Sequence, residues 1–153
     1  MAKVKLPLSV LYSDGTVSVE YDKNKKIVAV VVGNTFIALR DSHKDNDQEI
    51  FGADWQTIKD FCEGVKEDGY CSYMPPYDEV LLWRDSVVDI NLTIGILQQQ
   101  GVNADMLFEK NIYWTSTSHH PFARAVNFYS GNIEFRRREE ICFGRAAIRV
   151  LKN

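Results

Sequence analysis

Apolar and polar positions divide this chain into a β-rich start, a helical middle and a β-rich end. Val10-Leu11-Tyr12 and Thr16-Val17-Ser18-Val19-Glu20-Tyr21 flank Ser13-Asp14-Gly15. Asp-Gly between two alternating runs predicts a β-hairpin. After polar residues 22–26, Ile27-Val28-Ala29-Val30-Val31-Val32 is an unbroken apolar run, which predicts a central strand buried on both faces. Gly33-Asn34 turns the chain, and residues 35–40 return as a further strand. Residues 41–48 are charged and polar, the composition of a surface loop.

The periodicity then changes. Asp54 is placed to cap a helix running to about Lys66, with Trp55, Ile58, Phe61, Cys62 and Val65 along one stripe and Gly69 closing the segment near Tyr70. Pro75-Pro76 stops any helix before it and starts the next, and Asp78 and Glu79 favour the positive end of that helix. Val80, Leu81, Leu82 and Trp83 supply its apolar stripe. Asp85-Ser86 reads as a fresh cap. Val87, Val88, Ile90, Ile94 and Leu97 form another amphipathic stripe ending near Gly101. Gly95 inside that helix costs roughly 1 kcal/mol relative to Ala, which predicts close packing against a neighbour.

Residues 103–111 connect to strands expected at 112–116, 123–128, 132–137 and 146–151, with Ser130-Gly131-Asn132 turning the middle pair. Strands, then helices, then strands specify an α+β domain, and 153 residues suit one domain spanning 1–153. The four closing strands are expected to pack as one layer over the helices, with an outer face free for contact.

Composition sharpens this picture in three ways. With 45% hydrophobic residues the chain can bury a core. Its net charge of -3 excludes an obvious polyanion binder, yet residues 119–153 carry an excess of four positive charges. Arg on the wet faces of strands, paired with Glu134, Glu139 and Glu140, is the simplest account of that excess. Three cysteines, Cys62, Cys71 and Cys142, with no CxxC, fit buried thiols better than a disulfide framework or a zinc site. The start of the chain lacks a secretory signal and no apolar run is long enough to span a bilayer. The expectation is a protein made in the cytoplasm without a signal peptide, with a virion as one destination and no membrane insertion.

Several blocks resemble C-type-lectin-like domains. Residues 70–80, Tyr-Cys-Ser-Tyr-Met-Pro-Pro-Tyr-Asp-Glu-Val, resemble the Gly-Trp-Arg-Leu-Pro-Ser-x-x-Glu-Leu block of that family. Tyr113-Trp114-Thr115-Ser116-Thr117 resembles its Tyr-Trp-Ser-Ser-Thr strand. Ala125-Val126-Asn127-Phe128-x-x-Gly131 and Ala147-Ile148-Arg149-Val150 resemble its hairpin and terminal strand. The nearest group is the C-terminal domain of the Legionella collagen-like protein type; formylglycine-generating enzyme domains and phage tropism determinants are more distant. Cys71-Ser72-Tyr73 departs from the usual Trp-Arg pair, and Met74 replaces its Leu. The Glu-Pro-Asn loop and Trp-Asn-Asp element that hold calcium in the calcium lectins are missing, so calcium-dependent sugar binding is not expected. The resemblance implies a C-type-lectin-like fold with an N-terminal hairpin and strands, two to three central helices and a C-terminal antiparallel sheet.

Candidate contact residues cluster in the last quarter: Ser116, Ser118, His119, His120, Arg124, Tyr129, Arg136 and Arg138. His119-His120 sits between two strands, and with no third ligand evident no metal is assigned; no cofactor is assigned either. Among the aromatics, alternation predicts Trp114 and Phe128 in the core and Tyr129 exposed, with Phe135 a further stacking candidate. Arg136 and Arg138 are expected on one face of a strand and Arg137 on the other, suited to bidentate grips on anions. No nucleic-acid motif accompanies them.

The reading is a non-enzymatic recognition or assembly module that acts as a homo-oligomer: a phage virion decoration or receptor-contacting protein. Its partners are a protein, subunits of an assembly, or a cell-surface glycan; nucleic acid is not among them. An adhesin-like glycan- or protein-binding module is the alternative. An enzyme of the formylglycine-generating type, working through Cys142 and copper, stands behind both.

Overall fold

The computed structural model describes residues 4–41, 44–45, 49–50, 52–64, 66–67, 69–107 and 109–151. It is an α+β arrangement of antiparallel sheets and three helices among those residues. β1 (Lys5–Tyr12), β2 (Val17–Glu20), β3 (Ile27–Val32) and β4 (Thr35–Asp41) come first, followed by the short pair β5 (Lys44–Asp45) and β6 (Glu49–Ile50). Then come α1 (Trp55–Cys62), β7 (Lys66–Glu67), β8 (Tyr70–Tyr73), α2 (Tyr77–Asp85) and α3 (Val87–Gln99). The chain closes with β9 (Ile112–His119), β10 (Phe122–Asn127), β11 (Ile133–Arg137) and β12 (Arg145–Val150).

The larger sheet has the order β2-β1-β3-β4-β12-β8-β7, and a smaller one the order β11-β10-β9. The first hairpin and the apolar run behave as their patterns require. β3 lies between β1 and β4, and its side chains are buried on both faces except at Val31. Gly15 takes a left-handed φ of 89° in the turn, which glycine adopts without steric cost.

One expectation about architecture is corrected. The four closing strands do not form one layer. β12 leaves β9–β11 and inserts between β4 and β8, so the last strand completes the sheet begun by the first residues. Its sequence explains the choice: Arg145 to Ile148 are all buried, and such a segment needs covered faces and a neighbour on each side. The remaining three-stranded sheet is also covered further than expected. α2 packs against β9 and β10, burying Tyr113 and Val126 with Trp83. On the opposite face Trp114, Ala123 and Ala125 pack with Trp55, Ile58 and Cys142. Only the end of the sheet near His119 and Phe122 stays open.

Local expectations are adjusted too. α1 starts at Asp54 as predicted, whose carboxylate accepts from the Thr57 N–H, but it ends at Cys62 and not near Lys66. Lys66 and Glu67 instead pair with Cys71 and Tyr70 across a turn in which Gly69 holds φ 92°. Phe61 consequently stands 49% exposed; Val65 lies outside the described residues. Residues 70–73, given no element from sequence, form β8 because β12 offers them a free edge. Within 41–48, Lys44 and Asp45 pair with Ile50 and Glu49; residues 42, 43 and 46–48 lie outside the described set. The break between α2 and α3 falls at Ser86, though its side chain caps nothing, and Val88 in α3 is 63% exposed. Ile90, Ile94 and Leu97 carry the buried stripe. Cys62 and Cys142 are buried thiols, while Cys71 is half-buried.

α2 and α3 sit against the larger sheet, and the indole N–H of Trp83 donates to Thr35 Oγ1 (2.9 Å), whose hydroxyl donates to the Val32 carbonyl (2.7 Å). That chain of bonds pins α2 to the β3–β4 turn inside the core. Gly95 does make the close contact its placement predicts: a Cβ there would lie 3.0 Å from the terminal methyl of Met106.

Two stability outcomes follow from this packing. Gly95→Ala gains helix propensity of about 1 kcal/mol and displaces only the flexible end of Met106, so urea unfolding should give a net gain of about 0.5 kcal/mol. Gly52→Ala puts a Cβ 2.7 Å from the Cys142 carbonyl oxygen, backbone against backbone, and should cost about 2 kcal/mol. The Thr57 hydrogen bonds hold the Asp54 carboxyl below its usual range. A depressed folded pKa contributes stability above the unfolded value of about 3.9 and loses it as pH falls through the folded value. Asp54→Ala should thus cost about 1 kcal/mol at pH 7, and its deficit relative to the parent protein should shrink as urea melts are taken below pH 3.

Candidate functional site

The open end of the small sheet is shaped by an irregularity in β9. Ala123 of β10 pairs with Ser118, yet Ala125 pairs with Trp114, so Thr115, Ser116 and Thr117 together face Arg124 alone. Such a bulge bends a strand and re-aims its side chains. Its stranded backbone groups are met by other partners. Thr115 Oγ1 donates to the Arg124 carbonyl (2.9 Å) and the Ser116 N–H donates to the Pro75 carbonyl (2.8 Å). The Tyr77 N–H donates to Thr117 Oγ1 (3.3 Å). The start of α2 is thereby docked onto the bulge, which brings the Tyr77 ring beside β10.

Strand register decides what shares that face. Phe122 pairs with Arg137, and Arg124 pairs with Phe135. The Arg124 guanidinium lies over two rings, Tyr77 and Phe135, each with its centroid 5.0 Å away. Arg137 lies over Phe122 at 5.7 Å and donates to Glu139 Oε1 at 2.7 Å. Thr117, Ser118, His119, Phe122, Ala123, Arg124 and Phe135 line a cleft of about 400 Å³. No carboxylate lines it, and among the described residues Arg124 makes no ion pair and its guanidinium donates no hydrogen bond. A cation backed by two aromatic faces and lacking a counter-ion attracts an anion, and the cation–π contacts hold it in place meanwhile.

The chain matches no family model, no curated protein and no solved structure.

The eight residues singled out from sequence fall into separate places. Ser118, His119 and Arg124 meet in the cleft. Ser116 sits in the bulge behind it, half-buried. Tyr129 is 72% exposed but lies at the other end of β10, in the turn where its N–H donates to Asn127 Oδ1. Trp114 and Phe128 are buried, as alternation predicted. Arg136 faces away from the cleft, beside Ala123, and binds Glu134 at 2.7 Å and Glu140 at 3.4 Å. Asn127 foremost, then Arg136, keeps the Glu134 carboxyl below its usual range. Arg138 does not share a strand face with Arg136, because β11 ends at Arg137. It turns to α1 instead, lying 3.9 Å from the Trp55 ring centroid, donating to Gln56 Oε1 and resting 3.2 Å from His120 Nδ1. The pairing with Glu134, Glu139 and Glu140 that the simpler account supposed is therefore met by Arg136 and Arg137, whereas Arg124, Arg138 and Arg149 lie against aromatic rings.

Tyr77 and Phe122 are site residues that sequence reasoning missed. Phe122 was legible in principle: pairing the strands about the Ser130-Gly131 turn sets it on the face of Arg124 and Phe135. Tyr77 left no local signal, since only the tertiary docking of α2 brings it there.

Burial pushes the Cys142 thiol up to about 12, so at neutral pH it is not a thiolate. Among the described residues no three His, Cys, Asp or Glu side chains converge to hold a metal ion, and no helix is long and apolar enough to cross a membrane.

The bulge makes Thr115 the keystone of the cleft. It is fully buried, and its hydroxyl also accepts from the Thr117 N–H (3.3 Å). Thr115→Val should leave the Arg124 carbonyl unsatisfied and cost about 2 kcal/mol in urea unfolding. Amide resonances of Thr117, Ser118 and Arg124 should move in that variant and stay in Thr115→Ser, which keeps the hydroxyl.

Proposed function

We propose that the protein is a non-enzymatic recognition module that binds through the open end of its small sheet. The observation that carries this reading is Arg124, held between Tyr77 and Phe135 without a counter-ion and opening onto a cleft with Ser118 and His119. Clefts of roughly 300–1,000 Å³ with a few convergent polar groups are the usual form of a ligand site. Phe135, 67% exposed, and Phe122 add apolar contact area at its rim. Binding energy concentrates in such aromatic and Arg anchors. A catalytic reading has less support: no carboxylate stands beside His119 in the cleft to orient it as a base, and the thiol of Cys142 is buried elsewhere.

The fold is proposed to be C-type-lectin-like. The blocks that carry the resemblance fall on distinct elements in the order the family has them: β8 and the start of α2, then β9, the β10–β11 hairpin, and β12. Binding in this module proceeds without calcium. The resemblance also carries the step to a phage virion, as a decoration or receptor-contacting protein, with an adhesin-like role as the alternative. Assembly with other subunits, including copies of itself, is favoured by Tyr129 and Ile141, which are exposed apolar side chains outside the cleft.

A glycan array probed without calcium tests the reading together with light scattering. Retention of a restricted set of glycans is expected, unchanged by added calcium and weakened about tenfold or more by Phe135→Ala, whose thermal midpoint should stay within a few degrees of the parent. An empty array with a stable multimer would shift the function to assembly. An empty array with a monomer would overturn recognition by this face.

A further inference from the structure

We infer that the Arg124 cleft is a subsite for one carboxylate-bearing sugar ring, of the uronic or sialic acid class. The inference rests on the recognition reading and names its ligand.

The charge comes first. One guanidinium faces the cleft and no carboxylate does, so the site selects a single negative charge. The rings of Tyr77 and Phe135 occupy positions over the guanidinium, so its N–H groups are left to an acceptor at its edge. A planar fork of N–H donors matches the two oxygens of a carboxylate. A polysulfated or polyphosphorylated chain needs several cations in a row, and the neighbours are already engaged: Arg136 by Glu134 and Glu140, and Arg137 by Glu139.

The rest of the cleft sets the body that carries the carboxylate. Ser118 and Thr117 offer hydroxyls, and the Thr117 oxygen already accepts from the Tyr77 N–H, which leaves its own hydrogen to donate. Phe122, two residues before Arg124 on β10, and Phe135, opposite Arg124 on β11, offer apolar surface on the same face. Hydroxyls beside exposed aromatic rings suit a ligand with both hydroxyl groups and a C–H face, which is a pyranose.

An extended acidic peptide is the competing ligand, and backbone groups at the end of β11 and along β9 are closed to it. On the β11 edge the Arg137 N–H donates to Glu140 Oε2, and its carbonyl accepts from the Glu140 N–H. On the β9 edge the Trp114 N–H donates to the Phe143 carbonyl, and the Ser116 N–H to the Pro75 carbonyl. A peptide strand joining either edge would find these groups taken.

The test is a titration of the full chain by amide NMR with glucuronate, N-acetylneuraminate, glucose, the methyl ester of glucuronate, acetate and a short Glu-containing peptide. Either acid sugar should shift the Ser118, Arg124 and Phe135 amides with a Kd on the order of 1 mM. Glucose and the methyl ester should bind at least tenfold more weakly. Arg124→Gln should abolish the effect, and Arg124→Lys, which keeps the charge but loses the fork, should weaken it at least fivefold. The ester comparison stands even where an Arg124 variant folds poorly. Equal binding of glucose and glucuronate would overturn the charge selection. Acetate as strong as glucuronate would overturn the ring, and preference for the peptide would overturn the ligand class. An array that retains only neutral glycans would end this inference and leave the recognition reading intact; an empty array would end that reading itself.

Discussion

Two tryptophans exchange hydrogen bonds across the molecule, and the geometry of the cleft depends on that exchange. The indole N–H of Trp55, at the first position of α1, donates to the Thr115 carbonyl (2.8 Å). The indole N–H of Trp114 donates back to the Ala53 carbonyl (3.0 Å). Both indoles are buried, so each bond replaces a lost contact with water, and removing either donor would strand a buried acceptor at a cost of about 1–3 kcal/mol. The pair fixes where β9 departs from regular pairing. Thr115 is held from one side by Trp55 and from the other by its own bond to Arg124, and the bulge has no freedom to slide.

From that point the constraint spreads in two directions. Through Ser116 and Thr117 it sets the start of α2, and through α2 the indole of Trp83 reaches the β3–β4 turn. Through Ala53, which pairs with Cys142, it sets the approach to β12. β12 then closes the larger sheet and carries the buried Arg145, which donates to the Asp105 carbonyl and ties the strand to the connection before β9. The small sheet therefore lies between α2 on one face and α1 on the other, with its open end outward. On the proposed reading, the stacking of Arg124 on Tyr77 and Phe135 spares part of the ordering entropy that opposes binding.

What could be read from sequence was local, and what could not was the pairing of distant segments. Asp14-Gly15 between alternating runs, the apolar block 27–32 and the stripe of Ile90, Ile94 and Leu97 each encode their element within a few residues, and each formed where expected. Residues 70–73 have no such signature; they are a strand because 147–150 lie beside them. The same holds for β12, whose composition announces burial but not which sheet buries it. At the site, Arg124 was legible as a candidate, whereas its setting between Tyr77 and Phe135 required the register of β10 against β11 and the docking of α2. The arginine run shows the limit most clearly. Alternation separates Arg136 from Arg137, but only the end of β11 sends Arg138 to Trp55.

That arginine run also shows how part of the tail's positive charge is offset locally. Glu134, Glu139 and Glu140 stand within a few residues of Arg136 and Arg137 and neutralise them locally, at 2.7 to 3.4 Å. Exposed pairs of this kind contribute little to stability, about 0–1 kcal/mol each. Their effect is to offset the charge of the two β11 arginines nearest to Arg124. On the proposed reading, the unpaired guanidinium of Arg124 is then the cation that faces the cleft, and it favours a ligand with its charge at one point. A smooth basic strip would favour long polyanions of any sequence. A single cation between two rings favours one charge on one body of matching shape, which is the form that specificity takes when the contact area is small.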